Sequence, residues 1–308
     1  MSTCLCGPTI TGPSDCQHQT RGINMKTTLL IGPGRVGRSL ALAHKKAGEE
    51  VYLLGTDTGA WMDWAADNGI HTLVDPAGAP KQADVILFCV PDASILPVAQ
   101  KFAAHFHCNS KLFIHTSGLH DIEVLKPISL EGGFVAAMHP VMQFVDPERD
   151  IETLRLALVT ETADPNAREG VLEVAEVWGA QPVRLKAGID RRRYHLGLAL
   201  ASNHITALCA WSAELLEPVF REQTWDVVER MASQAMHSAH QDGASNALTG
   251  AVVRGDISTV EGHLQSLSER EKHRYAGLLD LVVDLAEQSQ RLPHETADRM
   301  RAIAKDAR

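Results

Sequence analysis

What the sequence lacks sets the first limits. No uninterrupted apolar stretch approaches the ~20 residues that a membrane-spanning helix needs, so no membrane partner is expected. The first residues also lack the basic-then-apolar order of a secretion signal, which makes a cytoplasmic location the expectation. Positive charge is short: 29 lysines and arginines face 38 acids, for a formal net charge of -9. No basic stripe is long enough to neutralise a phosphate backbone, which argues against nucleic acid. The short run Arg191-Arg192-Arg193 reads as a solvated helix start, with docking of an anionic cofactor or substrate as the alternative. Nothing demands disulfides, since Cys89 and Cys209 lie inside apolar runs, where a thiol behaves as a small hydrophobe.

Cys4, Cys6, Cys16 and His18 carry zinc-ligand chemistry, but their order, CxC then C then CxH, fits no metal-site spacing. The segment is rich in Gly, Pro, Ser and Thr and shows neither helical nor strand periodicity. It is expected to be a disordered leader over 1–24, with Met25 an alternative start and no metal site.

What is present is ordinary for a globular chain: 44% hydrophobic and 22% charged residues. At 308 residues there is room for two domains, each with its own core. From Thr27 short apolar runs alternate with helix-length amphipathic stretches, the pattern of parallel strands joined by crossover helices. Strands are predicted at 27–31, 51–54, 85–90, 112–115 and 134–138, with a weaker one near Thr72. Two more, at 154–160 and 182–185, flank a helix at 166–178 and complete the sheet. After Gly188 strand signals stop. One long helix at 191–216, apolar nearly all round, is expected to be buried. Further helices are predicted at 224–241, 257–268 and 270–290, separated by a loop-rich break at 243–256. The expected architecture is α/β, a Rossmann-type doubly wound parallel sheet at 25–188 followed by an all-helical substrate and dimerisation domain at 189–308.

The loop Gly32-Pro33-Gly34-Arg35-Val36-Gly37 directly follows the first strand and directly precedes a helix, the context in which GxGxxG binds a dinucleotide. Gly32 permits the tight turn, Gly34 lets backbone approach a pyrophosphate, and Gly37 lets helix and strand pack closely. Free amides at the helix start then bind the anion. At the second strand tip, Gly55 and Thr56 leave no carboxylate facing the ribose, which favours NADP. NAD stays open, because Asp57 falls 20 residues after Gly37 (57 minus 37), near the usual acidic offset.

Ligands of open parallel sheets lie outside the carboxyl ends of the strands. That rule singles out Pro91, Ser117 and His139. Pro91 and Ser117 are either cofactor contacts or simple turn residues. On the long helix, His195 and Ser202 nearly eclipse at α-helical spacing, with Asn203 and Thr206 beside them, forming a polar stripe. A reductase needs a proton donor beside the carbonyl or imine it reduces. His195 and His139 are both candidates, and Asn203 can orient the substrate. Arg254 and Asp256 form either a turn tied by a salt bridge or a clamp for a polar substrate.

These motifs resemble a family of predicted oxidoreductases in which a Rossmann-like domain precedes a helical domain of unknown function. The resemblance rests on GPGRVG at 32–37, HTSG at 115–118, HPVMQF at 139–144, YHLGLALASN at 194–203 and LTGAVVRGD at 248–256. It places the chain in the wider group of β-hydroxyacid dehydrogenases, ketopantoate reductases and pyrroline-5-carboxylate reductases. In the first two, a lysine one turn before an asparagine is the usual proton donor. The asparagine maps to Asn203, but the lysine position holds Ala199, which makes His195 the replacement that the resemblance implies. The resemblance also implies a homodimer. Two functions follow: NADPH reduction of a small oxo acid or imine, or a dinucleotide-responsive regulatory protein without hydride chemistry.

Overall fold

The computed structural model describes residues 26–307. The predicted leader, with Cys4, Cys6, Cys16 and His18, and Met25 lie outside the described residues. The chain divides into two compact units that meet between Leu200 and Ala201.

The first unit is built on an eight-stranded sheet of order β3-β2-β1-β4-β5-β6-β7-β8. Its elements are β1 (Thr27–Ile31), α1 (Arg35–Lys46), β2 (Glu50–Leu54), α2 (Ala60–Asp67), β3 (His71–Leu73), β4 (Val85–Phe88), α3 (Asp92–His105) and β5 (Leu112–His115). They continue with α4 (Lys126–Leu130), β6 (Phe134–Pro140), α5 (Pro147–Leu154), β7 (Leu158–Ala163), α6 (Arg168–Trp178), β8 (Gln181–Arg184) and α7 (Arg191–Ala199). β3 through β6 are mutually parallel, as the alternating pattern predicted. β7 departs from it: it runs antiparallel to β6, with β8 parallel to β7. His139 of β6 therefore sits opposite Thr160 of β7, and Ala137 opposite Thr162.

The central strands read as continuous apolar runs because both faces are covered. Leu30, Leu87, Ile114, Ala136 and Met138 pack under α1, α5 and α6 on one face, and Leu29, Ile86, Phe88, Phe113 and Val135 pack under α3 and α4 on the other. A buried polar chain crosses the first face. Trp178 Nε1 donates to His44 Nε2 (3.0 Å), and His44 Nδ1 meets Glu49 (2.8 Å), which also accepts from Thr28 Oγ1. An indole N–H is donor only, so the Trp178 contact requires His44 Nε2 as the acceptor and leaves Nδ1 to face Glu49. Asp150 of α5 anchors to α1 by accepting from Ser39 Oγ (2.8 Å) and from the Val145 amide.

The second unit holds α8 (Ile205–Phe220), α9 (Thr224–Asp242), α10 (Ala244–Ala247), α11 (Ile257–Gln265), α12 (Glu269–Gln288) and α13 (His294–Asp306). Its core is Val252, Val253, Val260, Ala276, Leu279, Val283, Leu292 and Met300, drawn from α11, α12, α13 and the turn before them. A capping box of Ser268 and Glu271 opens α12, and Asp256 caps α11.

The single buried helix expected at 191–216 is not what forms. α7 ends at Ala199, a π-helical turn spans Leu200–His204, and α8 runs on to Phe220. A π-turn closes i to i+5, which shifts register and removes the eclipse of His195 and Ser202 that α-helical spacing predicts. Burial fails too. α7 has no buried residue and α8 has Ala213, while Leu208, Leu215 and Val219 stay exposed.

Candidate functional site

The glycine loop has the local build its sequence predicts. Gly32 takes φ +105, a left-handed conformation that favours glycine, and donates its amide to Leu54 O (2.8 Å). A Cβ at Gly37 would lie 1.9 Å from Gly32 O, so α1 can approach β1 this closely only through glycine. Gly34 differs: a Cβ there would meet nothing within 4 Å. Its lack of a side chain serves no packing within the protein, which leaves open space above the backbone. Gly34 is the N-cap of α1, which has no side-chain cap and no acid in its first turn. Amides at a helix start that no side chain answers, with the positive end of the dipole, are the features to which anions bind. Arg35 is exposed beside this loop and Val36 packs against the core.

At the tip of β2 the strand ends at Leu54, ahead of Asp57. Gly55 is buried beneath Trp61, whose Cζ2 would lie 2.6 Å from a Cβ there, while Thr56 and Asp57 are both exposed. Pro91 is exposed and N-caps α3.

The end of β5 is more polar than its surroundings. His115 is fully buried, and its Nε2 faces Asp121 O (2.9 Å) while its Nδ1 accepts from the Ser117 amide (3.2 Å). The donor at Nδ1 fixes the Nε2–H tautomer, and burial depresses the ring's pKa to about 4. Ser117 Oγ accepts from the Leu119 and His120 amides (both 3.1 Å), so the hydroxyl ties a turn.

α7 lies over the same sheet face. Arg191, Tyr194 and His195 share one side of it at i, i+3 and i+4 spacing. The Tyr194 hydroxyl bridges His139 Nδ1 (2.9 Å) and Thr160 Oγ1 (2.8 Å). The His139 and His195 rings lie 6.2 Å apart, and Gly118 fits between them: a Cβ there would be 2.9 Å from both His139 Cε1 and His195 Cδ2. His139 is held neutral, its pKa depressed to about 4 by burial first and then by His195 and Arg191. His195 is exposed. Arg191 donates through Nη2 to Thr162 Oγ1 (2.7 Å), while Arg192 and Arg193 face solvent. The solvated-run expectation therefore holds for the last two arginines and fails for Arg191, because helix geometry turns it toward the sheet.

His139, His195, Ser117 and Gly118 thus gather at the carboxyl ends of β5 and β6. In the second unit, Ser202 Oγ donates to Asn203 Oδ1 (2.8 Å), and Asn203 is exposed. Arg254 is exposed. Asp256 accepts from the Thr259 hydroxyl (2.7 Å), the Thr259 amide (3.1 Å) and the Ser258 hydroxyl (2.9 Å). These bonds hold its carboxyl below the usual range, with a smaller contribution from the charge of Arg254. Tyr194, Thr160 and Gly118 had no role in the sequence reading, and Arg191 had only the alternative of docking an anion as part of its run. The 191, 194, 195 spacing was the signal that could have found two of them.

The fold and its loop define a Rossmann-type dinucleotide-binding sheet followed by a helical region. Residues 11–140 match the model of a Rossmann-like domain and residues 157–280 match a domain of unknown function, DUF2520, so the chain combines the two. Over 103 residues it is 32% identical to the prephenate dehydrogenase of Lactococcus lactis subsp. cremoris, covering 33% of this chain and 29% of that enzyme. That match spans less than a third of the enzyme's length. Over 281 residues it is 26% identical to the probable prephenate dehydrogenase NovF of Streptomyces niveus, covering 87% and 74% of the two chains. Among solved structures, a Bacteroides fragilis protein assigned as an NADP oxidoreductase aligns with TM-score 0.70 at 18% identity, covering 86% of this chain and 98% of that one. A pyrroline-5-carboxylate reductase from Coxiella burnetii aligns with TM-score 0.57 at 12% identity, covering 91% and 99%. These two likenesses establish the fold.

Proposed function

We propose that the chain is an NADP(H)-dependent oxidoreductase that reduces the carbonyl of a small oxo acid or the C=N bond of an imine. The observation that carries this reading is a pair of features on one sheet edge: an uncapped helix start with open space at Gly34, and the neutral imidazole of His139 beside His195. The relatives named as prephenate dehydrogenases and NADP oxidoreductases support the class of chemistry.

Gly32, Gly34, Arg35, Val36 and Gly37 hold the pyrophosphate, and Gly55 and Thr56 receive the ribose end, with NADP favoured because β2 stops before Asp57. The dinucleotide supplies the hydride. When Tyr194 donates to His139 Nδ1, the His139 proton sits on Nε2 and can hydrogen-bond to a substrate oxygen or nitrogen. Exposed His195 supplies the proton that completes reduction. Asn203 orients the substrate, with Ser202 beside it. Pro91 and Ser117 shape the floor of the site, and Arg254 and Asp256 are given no catalytic step.

The protein is a cytoplasmic homodimer in this reading, since α8 and α9 leave Leu208, Leu215, Val219, Phe220, Trp225 and Met231 exposed in a single chain. Residues 25–188 form the dinucleotide domain and 189–308 the substrate and dimerisation domain.

The test is NADPH binding followed by absorbance at the reduced-nicotinamide band against panels of 2-oxo acids and cyclic imines, with prephenate and NADP+ for the reverse direction. Turnover that His139→Ala and His195→Ala each reduce at least tenfold is expected. Unchanged turnover in both variants would remove the imidazoles from the chemistry. Ala199, standing where the resembling dehydrogenases carry lysine, favours a second reading as a dinucleotide-responsive regulator. Tight NADPH binding with no turnover on any panel would select it.

A further inference from the structure

In the sheet unit Arg168 reaches the nearly buried carboxylate of Glu161 (3.4 Å), while Arg38, whose Nε is buried without a hydrogen-bond partner, lies over the Trp64 ring. Arg191 differs. None of the ion pairs among the described residues involves it, and its one hydrogen bond runs from Nη2 to the neutral hydroxyl of Thr162. Its Nη1 is buried with no hydrogen-bond partner. A buried guanidinium N–H left unmatched carries a desolvation cost with no return, and charges removed from water are normally paired. The neighbours deepen the mismatch. His115 and His139 are both held neutral, and the charge of Arg191 contributes to that.

We infer that Arg191 is the anchor for a carboxylate on the substrate, so that the compound reduced carries its carboxylate next to the reacting C=O or C=N carbon. The inference rests on the oxidoreductase reading and narrows its substrate class. Geometry favours a substrate anion over the cofactor's phosphates. Thr162 lies on β7, four strand steps from the glycine loop at β1 (β1, β4, β5, β6, β7), or about 19 Å at ~4.8 Å per step. The imidazoles are close by contrast. His195 follows Arg191 by one turn of α7, about 6 Å of rise, and Tyr194 between them holds His139. A carboxylate received at the Arg191 fork, whose planar donors match it, leaves the adjacent carbon facing His139 and His195. Exposed Arg254, in the second unit, has none of these features.

The experiment uses the full chain loaded with NADP+ and titrates matched probes by calorimetry: 2-oxopentanoate against 2-oxopentanamide, and 1-pyrroline-2-carboxylate against 1-pyrroline. Each acid is expected to bind at least tenfold tighter than its neutral partner. Arg191→Met should bring that ratio close to one, Arg191→Lys should keep a weaker preference, and NADPH affinity should stay unchanged in both. The Tm of Arg191→Met should hold or rise, because an unmatched buried charge is replaced by an apolar chain of similar length. Thr162→Val, which removes the one bond holding the guanidinium, should weaken acid binding without affecting the amide. Equal binding of acid and amide, no binding of any probe, retention of the preference in Arg191→Met, or a steep fall in its Tm would each overturn the inference, the last by making Arg191 structural. Loss of NADPH binding in the wild type would instead sink the oxidoreductase reading, and the acid-to-amide ratio measured without cofactor would still decide the role of Arg191.

Discussion

The two compact units bury their apolar residues to different degrees. In the sheet unit both faces of the central strands are covered, and Leu29, Leu30, Ile86, Leu87, Phe113 and Ile114 have no exposed surface. In the helical unit α11, α12 and α13 enclose a core, but α8 and the start of α9 present Leu208, Leu215, Val219, Phe220, Trp225 and Met231 to the outside. A sheet with helices on both sides completes its burial within one chain. A helix that is apolar on several sides completes it only with a second surface, which is why dimerisation is proposed for α8 and α9 and not for the sheet.

Substitutions in the two regions should break or sharpen that contrast. The largest effect is expected for Phe113→Ala, which empties a site packed against Phe88 and Phe106 and should cost about 3–5 kcal/mol in urea unfolding. Leu215→Ala on α8 should change the unfolding free energy by less than about 0.5 kcal/mol at low protein concentration, yet shift light scattering toward monomer at high concentration. Equal losses at the two positions, independent of concentration, would erase the distinction.

Acid is the next lever, through two histidines of the sheet unit. His115 and His139 have folded pKa values of about 4, below the ordinary imidazole value of 6.5. The unfolded chain therefore binds their protons first. Stability from this source is complete above pH 6.5 and is lost as pH falls toward 4. The loss should be about 2–3 kcal/mol for buried His115, and less for half-buried His139. Unfolding curves at pH 7 and pH 4.5 should show the drop, and His115→Gln should flatten it. His44→Leu should cost about 1–3 kcal/mol by stranding the Trp178 indole and the Glu49 carboxylate. The smallest stability effect is expected at Gly34→Ala: a Tm within error of wild type, with NADPH binding weakened at least tenfold in a fluorescence titration. Gly37→Ala should instead lower stability by about 1–3 kcal/mol, because its Cβ strikes the Gly32 carbonyl.

Much of the sheet was legible because continuous apolar runs bounded by turn residues have few other solutions. β1 and β5 fall where the sequence placed them, and β4 stops two residues early, at Phe88. The strand predicted at 154–160 was drawn too early. Asp146 caps and Pro147 opens α5, whose Ile151 and Leu154 face the core, so the apolar run starting at Leu154 begins in a helix. The strand itself ends on Glu161-Thr162-Ala163, which reads as polar because part of it lines the site. α13 had no counterpart in the sequence reading. It is charged on most sides and buries Ala297, Met300 and Ala304 along one narrow stripe. Of the site, the glycine loop and both histidines were legible as motifs. Tyr194 was not, and Arg191 appeared only within a run whose alternative was to dock an anion, since their positions depend on how α7 crosses β6 and β7, and no local pattern encodes an antiparallel β7.

Gly118 gives the imidazole pair a built-in wedge position. Its hydrogen is the only thickness the gap between His139 and His195 allows, so one added methyl must push the rings apart or tilt one of them. Residue 118 touches neither Tyr194 nor Arg191 through a side chain of its own, so Gly118→Ala changes the spacing of the pair while deleting no proton-carrying group. If two imidazoles divide the work of hydrogen bonding and proton supply, their separation is itself a catalytic quantity, and this position tunes it by one carbon atom.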